Sequence, residues 1–113
     1  MDIKTLPITD LILPKIIEAI KKEFSPLRVF LYGSRATGTA RPDSDYDFVI
    51  VVPGPRKDTR YDIMSKFSSQ MRKDLDVAVQ VWVYSKEEFD DWKDEFSSIP
   101  ETALNTGIEV PLG

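Results

Sequence analysis

Apolar positions along the chain recur with two different spacings, which predicts a mixture of helices and strands. Intervals of three and four residues predict a helix from Pro14 to Phe24 and another from Arg60 to Lys73. Short, dense apolar runs predict three strands, which extend from Arg28 to Tyr32, from Asp45 to Val52 and from Asp76 to Tyr84. A brief helical segment is expected after the Gly33-Ser34 turn, and residues 39–44 are expected to form a loop.

The second and third predicted strands differ in their patterns. The second contains an unbroken apolar run from Phe48 to Val52, which predicts a central position in the sheet. In the third strand, valines alternate with Gln80, Trp82 and Tyr84. That alternation predicts one packed face and one face that meets a cleft or solvent.

The C-terminal part continues the mixed pattern. Ser85 and Glu88 have the spacing of a capping box, and they predict a helix with an apolar stripe of Phe89, Trp92 and Phe96. A short helix from Glu101 to Asn105 and an edge strand from Ile108 to Leu112 complete the expected elements. The predicted fold class is α/β (α+β), with helices packed on a small mixed sheet in one domain that spans residues 1–113.

Composition narrows the chemistry that the chain can perform. Neither cysteine nor histidine is present, which excludes disulfides, thiolate or His-ligated metal sites and imidazole catalysis. Any reaction must therefore depend on carboxylates, hydroxyls, Lys, Arg or oxygen-bound metals. The lack of cysteine fits a cytoplasmic location, and no apolar run approaches the roughly 20 residues of a membrane-spanning helix. The net charge of −4 argues against direct nucleic-acid binding.

The segment LYGSRATGTARPDSDYDFVIVV concentrates the candidate chemistry. Asp45 and Asp47 are two residues apart at the start of a strand, so their carboxylates should project from the same face. Two adjacent anions favour a hard divalent cation, and Mg²⁺ typically binds one or two carboxylates together with substrate phosphates. The turn at Gly33 and Ser34 offers N–H groups and a hydroxyl to those phosphates. The pattern indicates nucleotide chemistry.

These residues resemble a known family. The stretch GSRATGTARPDSDYDFVIV is similar to the minimal nucleotidyltransferases of the DNA polymerase β-like superfamily. The resemblance implies that Gly33 and Ser34 bind the triphosphate of ATP and that Asp45 and Asp47 hold Mg²⁺. It also implies a polymerase-β-like nucleotidyltransferase fold. Arg35 and Arg41 are expected to add contacts to phosphate oxygens.

The resemblance also suggests a partner. Many minimal nucleotidyltransferases pair with a HEPN-domain protein in toxin–antitoxin modules, so the chain is expected to act as the antitoxin. It would transfer AMP from ATP to a hydroxyl acceptor. The acceptor is expected on the partner, because the small size of this chain leaves no acceptor-binding domain. A homo-oligomer is compatible with this interpretation. An alternative interpretation is a small-molecule transferase of the aminoglycoside-modifying type, which would need a dimer to enclose its substrate.

This sequence differs from the family motif at the third acidic residue. The family places a carboxylate on the next long strand, and the segment QVWVYSKEEF puts Gln80 at that position. Asp76 is the competing catalytic residue, but four residues of strand would separate the two by about 13 Å. Either Asp76 is the third acid, or Gln80 occupies the position and catalysis is weakened or lost. The second case would leave a nucleotide-binding or partner-binding module.

Overall fold

A four-stranded mixed β-sheet with helices on both faces forms the fold in the computed structural model, which describes residues 10–54 and 60–113. The strands are β1 (Arg28–Tyr32), β2 (Tyr46–Val52), β3 (Val79–Ser85) and β4 (Ile108–Glu109). The helices are α1 (Leu13–Phe24), α2 (Ser34–Thr37), α3 (Arg60–Leu75), α4 (Lys86–Trp92) and α5 (Ile99–Thr106). This architecture confirms the predicted fold class.

Strand β2 lies inside the sheet, whose order is β3-β2-β1-β4. It pairs antiparallel with β1 and parallel with β3. A parallel pair needs a long crossover connection, and α3 lies between the two strands in sequence. The predicted central position of β2 and the bounds of β1 are confirmed.

The first face of the sheet is covered by α1 and α3, and we call it the α1/α3 face. Alternate strand residues point into this layer, among them Leu31, Phe48 and Val81, each without exposed surface. The rings of Phe24 and Phe67 join the two helices, with centroids 5.3 Å apart. The apolar residues whose spacing predicted α1 are therefore those that the helix packs against the sheet.

The opposite face is covered by α4 and α5, and we call it the α4/α5 face. Its smaller cluster contains Phe30 and Phe89, whose rings stack with centroids 5.6 Å apart. The predicted capping box is confirmed, because Ser85 Oγ accepts from the Glu88 N–H at 3.1 Å and the Glu88 carboxylate accepts from the Ser85 N–H at 3.0 Å. The box starts α4 directly after β3 and turns the chain back over the sheet.

Strand β3 begins three residues later than its predicted start. Helix α3 continues to Leu75, and Asp76 ends it in a left-handed conformation with φ of 53°. The Asp76 N–H donates to the Arg72 carbonyl at 3.1 Å. A left-handed residue of this kind is a common helix terminator, and Asp tolerates it better than most residues. Asp76 therefore lies at a helix end, and its expected place on the strand face is wrong.

The predicted aromatic stripe of α4 is also wrong. The helix ends at Trp92, which is 53% exposed, and Phe96 lies beyond the helix and is 91% exposed. Of the three aromatic residues, Phe89 alone is buried. The helical period stops applying where the helix stops, so Phe96 does not share a face with Phe89.

The remaining elements agree with their predicted types. Helix α5 is longer than expected because Ser98 Oγ caps it by accepting from the Glu101 N–H at 3.1 Å. Strand β4 is an edge strand, as predicted, but has two residues. Residues 55–59, between β2 and α3, lie outside the described residues. In the described part of the chain, no helix combines the length and apolarity needed to cross a bilayer.

Candidate active site

The turn between β1 and α2 forms one side of the site. Gly33 has φ of 75° and ψ of −159°, a conformation essentially restricted to glycine, and it directly precedes α2. Its carbonyl accepts from the Ala36 and Thr37 N–H groups at 3.0 and 3.1 Å. The earlier N–H groups of a helix have no partner within it. The turn therefore presents backbone donors together with the Ser34 hydroxyl.

Asp47 lies directly against this turn. An ideal Cβ placed on Gly33 would lie 2.8 Å from Asp47 Oδ2, which is closer than real Cβ contacts. The contact follows from strand pairing, because Asp47 is opposite Tyr32, the residue before Gly33. Only a glycine leaves room for the carboxylate at this turn.

The two aspartates form an electrostatically unbalanced pair. Asp45 is exposed in the segment before β2, whereas Asp47 is partly buried on the strand. Burial raises the pKa of Asp47 above its usual value, and the negative charge of Asp45 raises it further. Among residues 10–54 and 60–113, neither carboxylate has an ion-pair or hydrogen-bond partner. Such a pair is suited to a divalent cation with oxygen ligands.

Gln80 occupies the neighbouring position on β3. The parallel register places it beside Asp47, with its side chain exposed. Asp45 and Gln80 also line an open depression of about 610 Å³ at the edge of β3, together with Arg72 and Lys73 of α3. The strand register therefore brings an amide, and not an acid, next to the carboxylate pair.

Asp76 is not brought to this pair. Its side chain is 95% exposed and forms an ion pair with Arg72 at 3.6 Å. No group of three or more Asp, Glu, His or Cys residues suited to a metal ion exists within the described part of the chain. The two possible positions of the third acid are thus clearly separated in the fold.

A sequence profile of the nucleotidyltransferase domain family matches residues 13–108. The chain belongs to this family. No curated protein matches the chain. Among solved structures, the chain is similar to a Sulfolobus solfataricus protein provisionally assigned as a nucleotidyltransferase, with 26% identity and a TM-score of 0.49. The alignment covers 70% of this chain and 68% of that one.

Two arginines of this nucleotidyltransferase were predicted to contact phosphates, and they have different surroundings. Arg35 donates from Nε and Nη2 to the Ser44 carbonyl at 3.2 and 2.8 Å, and from Nη2 to the Pro42 carbonyl at 3.2 Å. Arg41 is exposed, and its guanidinium has no hydrogen bond or ion pair with any described residue. Arg35 is therefore already engaged by the protein, whereas Arg41 is available.

Sequence analysis missed Tyr46, which separates the two aspartates. Its ring is buried on the α1/α3 face, and its hydroxyl donates to Asp10 Oδ2 at 2.6 Å. Burial raises the pKa of Tyr46 to about 12, and the hydrogen bond and charge of Asp10 act in the same direction. The signal was present in the sequence, because alternation along a strand sends residue 46 to the face opposite the carboxylates.

Tyr32 is a second residue that sequence analysis missed. It is opposite Asp47 in the sheet, and burial raises its pKa to about 12, with the negative charge of Asp47 as the next cause. A tyrosine with this pKa stays neutral at physiological pH and leaves the negative charge of Asp47 unbalanced. Only the pairing of β1 with β2 identifies it as a neighbour of the site.

The donor set fits the divalent metal ions that nucleotidyltransferase domains generally use. Asp45 and Asp47 offer hard oxygen donors, and no cationic side chain among the described residues forms an ion pair with them. The pKa of Asp47 is raised first by burial and then by the negative charge of Asp45, as expected for a partly buried carboxylate near another anion.

Proposed function

We propose that this nucleotidyltransferase transfers AMP from ATP–Mg²⁺ to a hydroxyl acceptor, with Asp45 and Asp47 as the metal ligands. The observation that supports the proposal most strongly is the contact between the Asp47 carboxylate and the Gly33 turn. The carboxylate that is proposed to bind metal is therefore adjacent to the donors that would bind phosphate. A triphosphate that carries its own Mg²⁺ needs both features within a few ångströms of each other.

Each residue of the site then has a defined task. The first-turn N–H groups of α2 and the Ser34 hydroxyl donate to phosphate oxygens, and the rigid Gly33 turn directs them. Arg41, whose guanidinium is exposed, adds a charge-assisted contact to a non-bridging oxygen. Asp45 and Asp47 would hold a divalent cation, whose positive charge would offset the negative charge that develops during transfer.

The chemical step joins the acceptor oxygen to the α-phosphorus and breaks the bond to pyrophosphate, which leaves. The acceptor proton passes to solvent water as the new bond forms, because the depression beside Asp45 and Gln80 is open. The Gln80 amide, which is adjacent to Asp47, cannot usefully accept that proton. We therefore expect transfer to be slower than in an enzyme with a carboxylate at this position.

The acceptor is proposed to be a hydroxyl on a partner protein of the HEPN type, so that transfer neutralises a toxin. The support is the similarity of the segment from Gly33 to Val51 to minimal nucleotidyltransferases that have such partners. The open depression beside Asp45 and Gln80 is accessible from outside and would admit a partner segment.

Transfer of a radiolabel tests the proposal. The purified chain is incubated with α-labelled ATP, Mg²⁺ and the protein encoded by the neighbouring gene. Label is expected on the partner with the wild-type chain and is expected to be absent with Asp47→Asn. Absence of label with both the wild-type chain and Gln80→Asp would count against a transferase.

A second candidate function is a binding module that has kept the fold and lost the reaction. Gln80 at the position beside Asp47 is the observation that favours it. The two functions are separated by Asp45→Ala combined with Asp47→Ala. A binder should neutralise its partner as well as before, whereas a transferase should lose its biological effect.

A further inference from the structure

The side chain of Arg35 connects the two halves of the site. Arg35 is in α2, directly after the Gly33–Ser34 turn, and its guanidinium donates three hydrogen bonds to carbonyls of the following loop. Two of the three reach the carbonyl of Ser44, the residue immediately before Asp45. A single guanidinium therefore joins the proposed phosphate turn to the first proposed metal ligand.

The same guanidinium also contacts the residue that follows Asp45. Its central carbon lies 4.3 Å from the centroid of the Tyr46 ring, within the range of a cation–π contact. The Tyr46 hydroxyl is bound to Asp10, whose other oxygen accepts from the Ile12 and Leu13 N–H groups at 2.9 and 3.0 Å. Tyr46 is thus anchored to the start of α1.

These contacts hold Asp45 from both sides. The carbonyl before it is bound by Arg35, and the ring after it is packed under Arg35 and bonded to Asp10. The loop is closed by a further pair of bonds, Ser44 N–H to the Arg41 carbonyl at 3.0 Å and Arg41 N–H to Ser44 Oγ at 2.8 Å. Asp45 itself is exposed and without a partner among the described residues, so its position depends on its neighbours.

We propose that Arg35 is a positioning residue that sets Asp45 relative to Asp47 for metal binding, and that it is not a ligand of the phosphates. The inference rests on the proposed metal-binding role of the two aspartates. The forked, planar guanidinium is required, because an ammonium group cannot bind the Ser44 carbonyl from two nitrogens while packing on Tyr46.

The test uses Mn²⁺ alone, without nucleotide, because a phosphate ligand cannot affect metal binding when no phosphate is present. Free Mn²⁺ is measured by electron paramagnetic resonance for the wild type, Arg35→Lys and Arg35→Gln. Loss of a residue that orients a metal ligand typically costs about 10–100-fold in metal affinity, so both variants should bind Mn²⁺ at least about tenfold more weakly. Arg28→Gln removes an arginine that is also engaged by the protein, through Glu109 and the Phe30 ring, but at the end of β1 away from Asp47, so it is the matched control and should bind like the wild type.

A double-mutant cycle with Asp45→Asn shows whether Arg35 acts through Asp45. In that background Arg35→Gln should have no further effect on the residual Mn²⁺ affinity. Additive losses, or an Arg35→Lys variant that binds within about twofold of the wild type, would overturn the positioning role. A direct phosphate contact would appear instead as weaker binding of metal-free ATP by Arg35→Gln.

Two further outcomes are decisive. Thermal unfolding should show that Arg35→Lys remains folded at the temperature of the metal titration. If it does not, Arg35 is a general structural residue and the specific role is refuted. Absence of Mn²⁺ binding by the wild type would refute the metal site, and the positioning role with it, whereas binding by the wild type and unchanged binding by the variants would refute the positioning role alone.

Discussion

The two faces of the sheet bury very different amounts of apolar surface. On the α1/α3 face, β1, β2 and β3 contribute buried residues to one large cluster with two helices. On the α4/α5 face, the cluster is much smaller; beyond it lie Asp47, which is partly buried, and Gln80, which is exposed. One sheet therefore separates two tasks, because a face that buries its side chains can hold the strands rigid while the other face presents polar groups to a ligand.

Strand β2 shows this separation within two adjacent residues. Phe48 has no exposed surface on the α1/α3 face, and Asp47 points to the other face beside Gly33. Both positions depend on the same backbone. The strand is fixed by its apolar side, and the carboxylate pair is positioned as a consequence.

The largest expected effect is the loss of an anchor on the α1/α3 face. Phe48→Ala should lower the free energy of unfolding by about 3–5 kcal/mol, because the sheet and two helices surround the cavity and cannot collapse into it. Urea denaturation measures the change. Asp47→Asn, at the preceding residue, should change stability by less than about 0.5 kcal/mol, and a loss as large as that of Phe48→Ala would contradict the division between the faces.

A smaller loss is expected on the α4/α5 face. Phe89→Ala should cost about 3 kcal/mol, at the lower end for buried aromatic residues, because the short α4 can move toward the space. Phe96→Ala is the matched variant and should change stability by less than about 0.5 kcal/mol, since the ring is 91% exposed. Thermal unfolding of both variants distinguishes them, and a large loss at Phe96 would show that this ring is covered in solution.

Gly33→Ala should specifically damage the candidate site, which lies on the polar face of the sheet. The backbone conformation of Gly33 costs an alanine about 1–3 kcal/mol, and the added Cβ would meet Asp47 Oδ2 at 2.8 Å. The expected result is moderate destabilisation together with loss of metal and nucleotide binding by calorimetry.

Gly38→Ala is the control for Gly33→Ala. Gly38 also has positive φ, 81°, but no atom lies within 4 Å of a Cβ placed there. It should lose about 1 kcal/mol of stability and keep its binding. If both variants lost binding equally, the close contact between Gly33 and Asp47 would not explain the effect.

The smallest expected effect is the pH-dependent contribution of Asp47 to the free energy of unfolding. Its folded-state pKa is raised above the ordinary value of 3.8, chiefly by burial and then by Asp45, so its negative charge opposes folding at neutral pH. Asp47→Asn should therefore be more stable than the wild type at pH 7 by a few tenths of a kcal/mol. This advantage should shrink as the pH falls through the raised pKa, because protonation then removes the same penalty from the wild type.

Urea denaturation between pH 7 and pH 4 measures this difference. The same comparison in an Asp45→Asn background should give a smaller advantage, since one of the two causes of the raised pKa has been removed. An advantage that grew as the pH fell would show that the sign of the shift is wrong.

Much of the fold could be predicted from local pattern. Strand β1, the central position of β2 and the capping box at Ser85 follow from alternation and from hydrogen bonds between residues that are close in sequence. The errors have a common cause. Asp76 and Phe96 lie just beyond the ends of α3 and α4, and a helix end depends on where packing against the sheet stops, which periodicity does not record.

The candidate groups could be identified before folding is considered, because the types and spacing of Gly33, Ser34, Asp45 and Asp47 restrict the chemistry to oxygen ligands and backbone donors. Which distant residues join them depends on the folded arrangement. Gln80 is beside Asp47 through strand register, Asp76 is removed to a helix end, and Arg35 binds the loop before Asp45. Strand register joins residues that are far apart in sequence, and the Arg35 contacts join residues across a loop. Which residues meet in each case therefore depends on how the whole sheet packs.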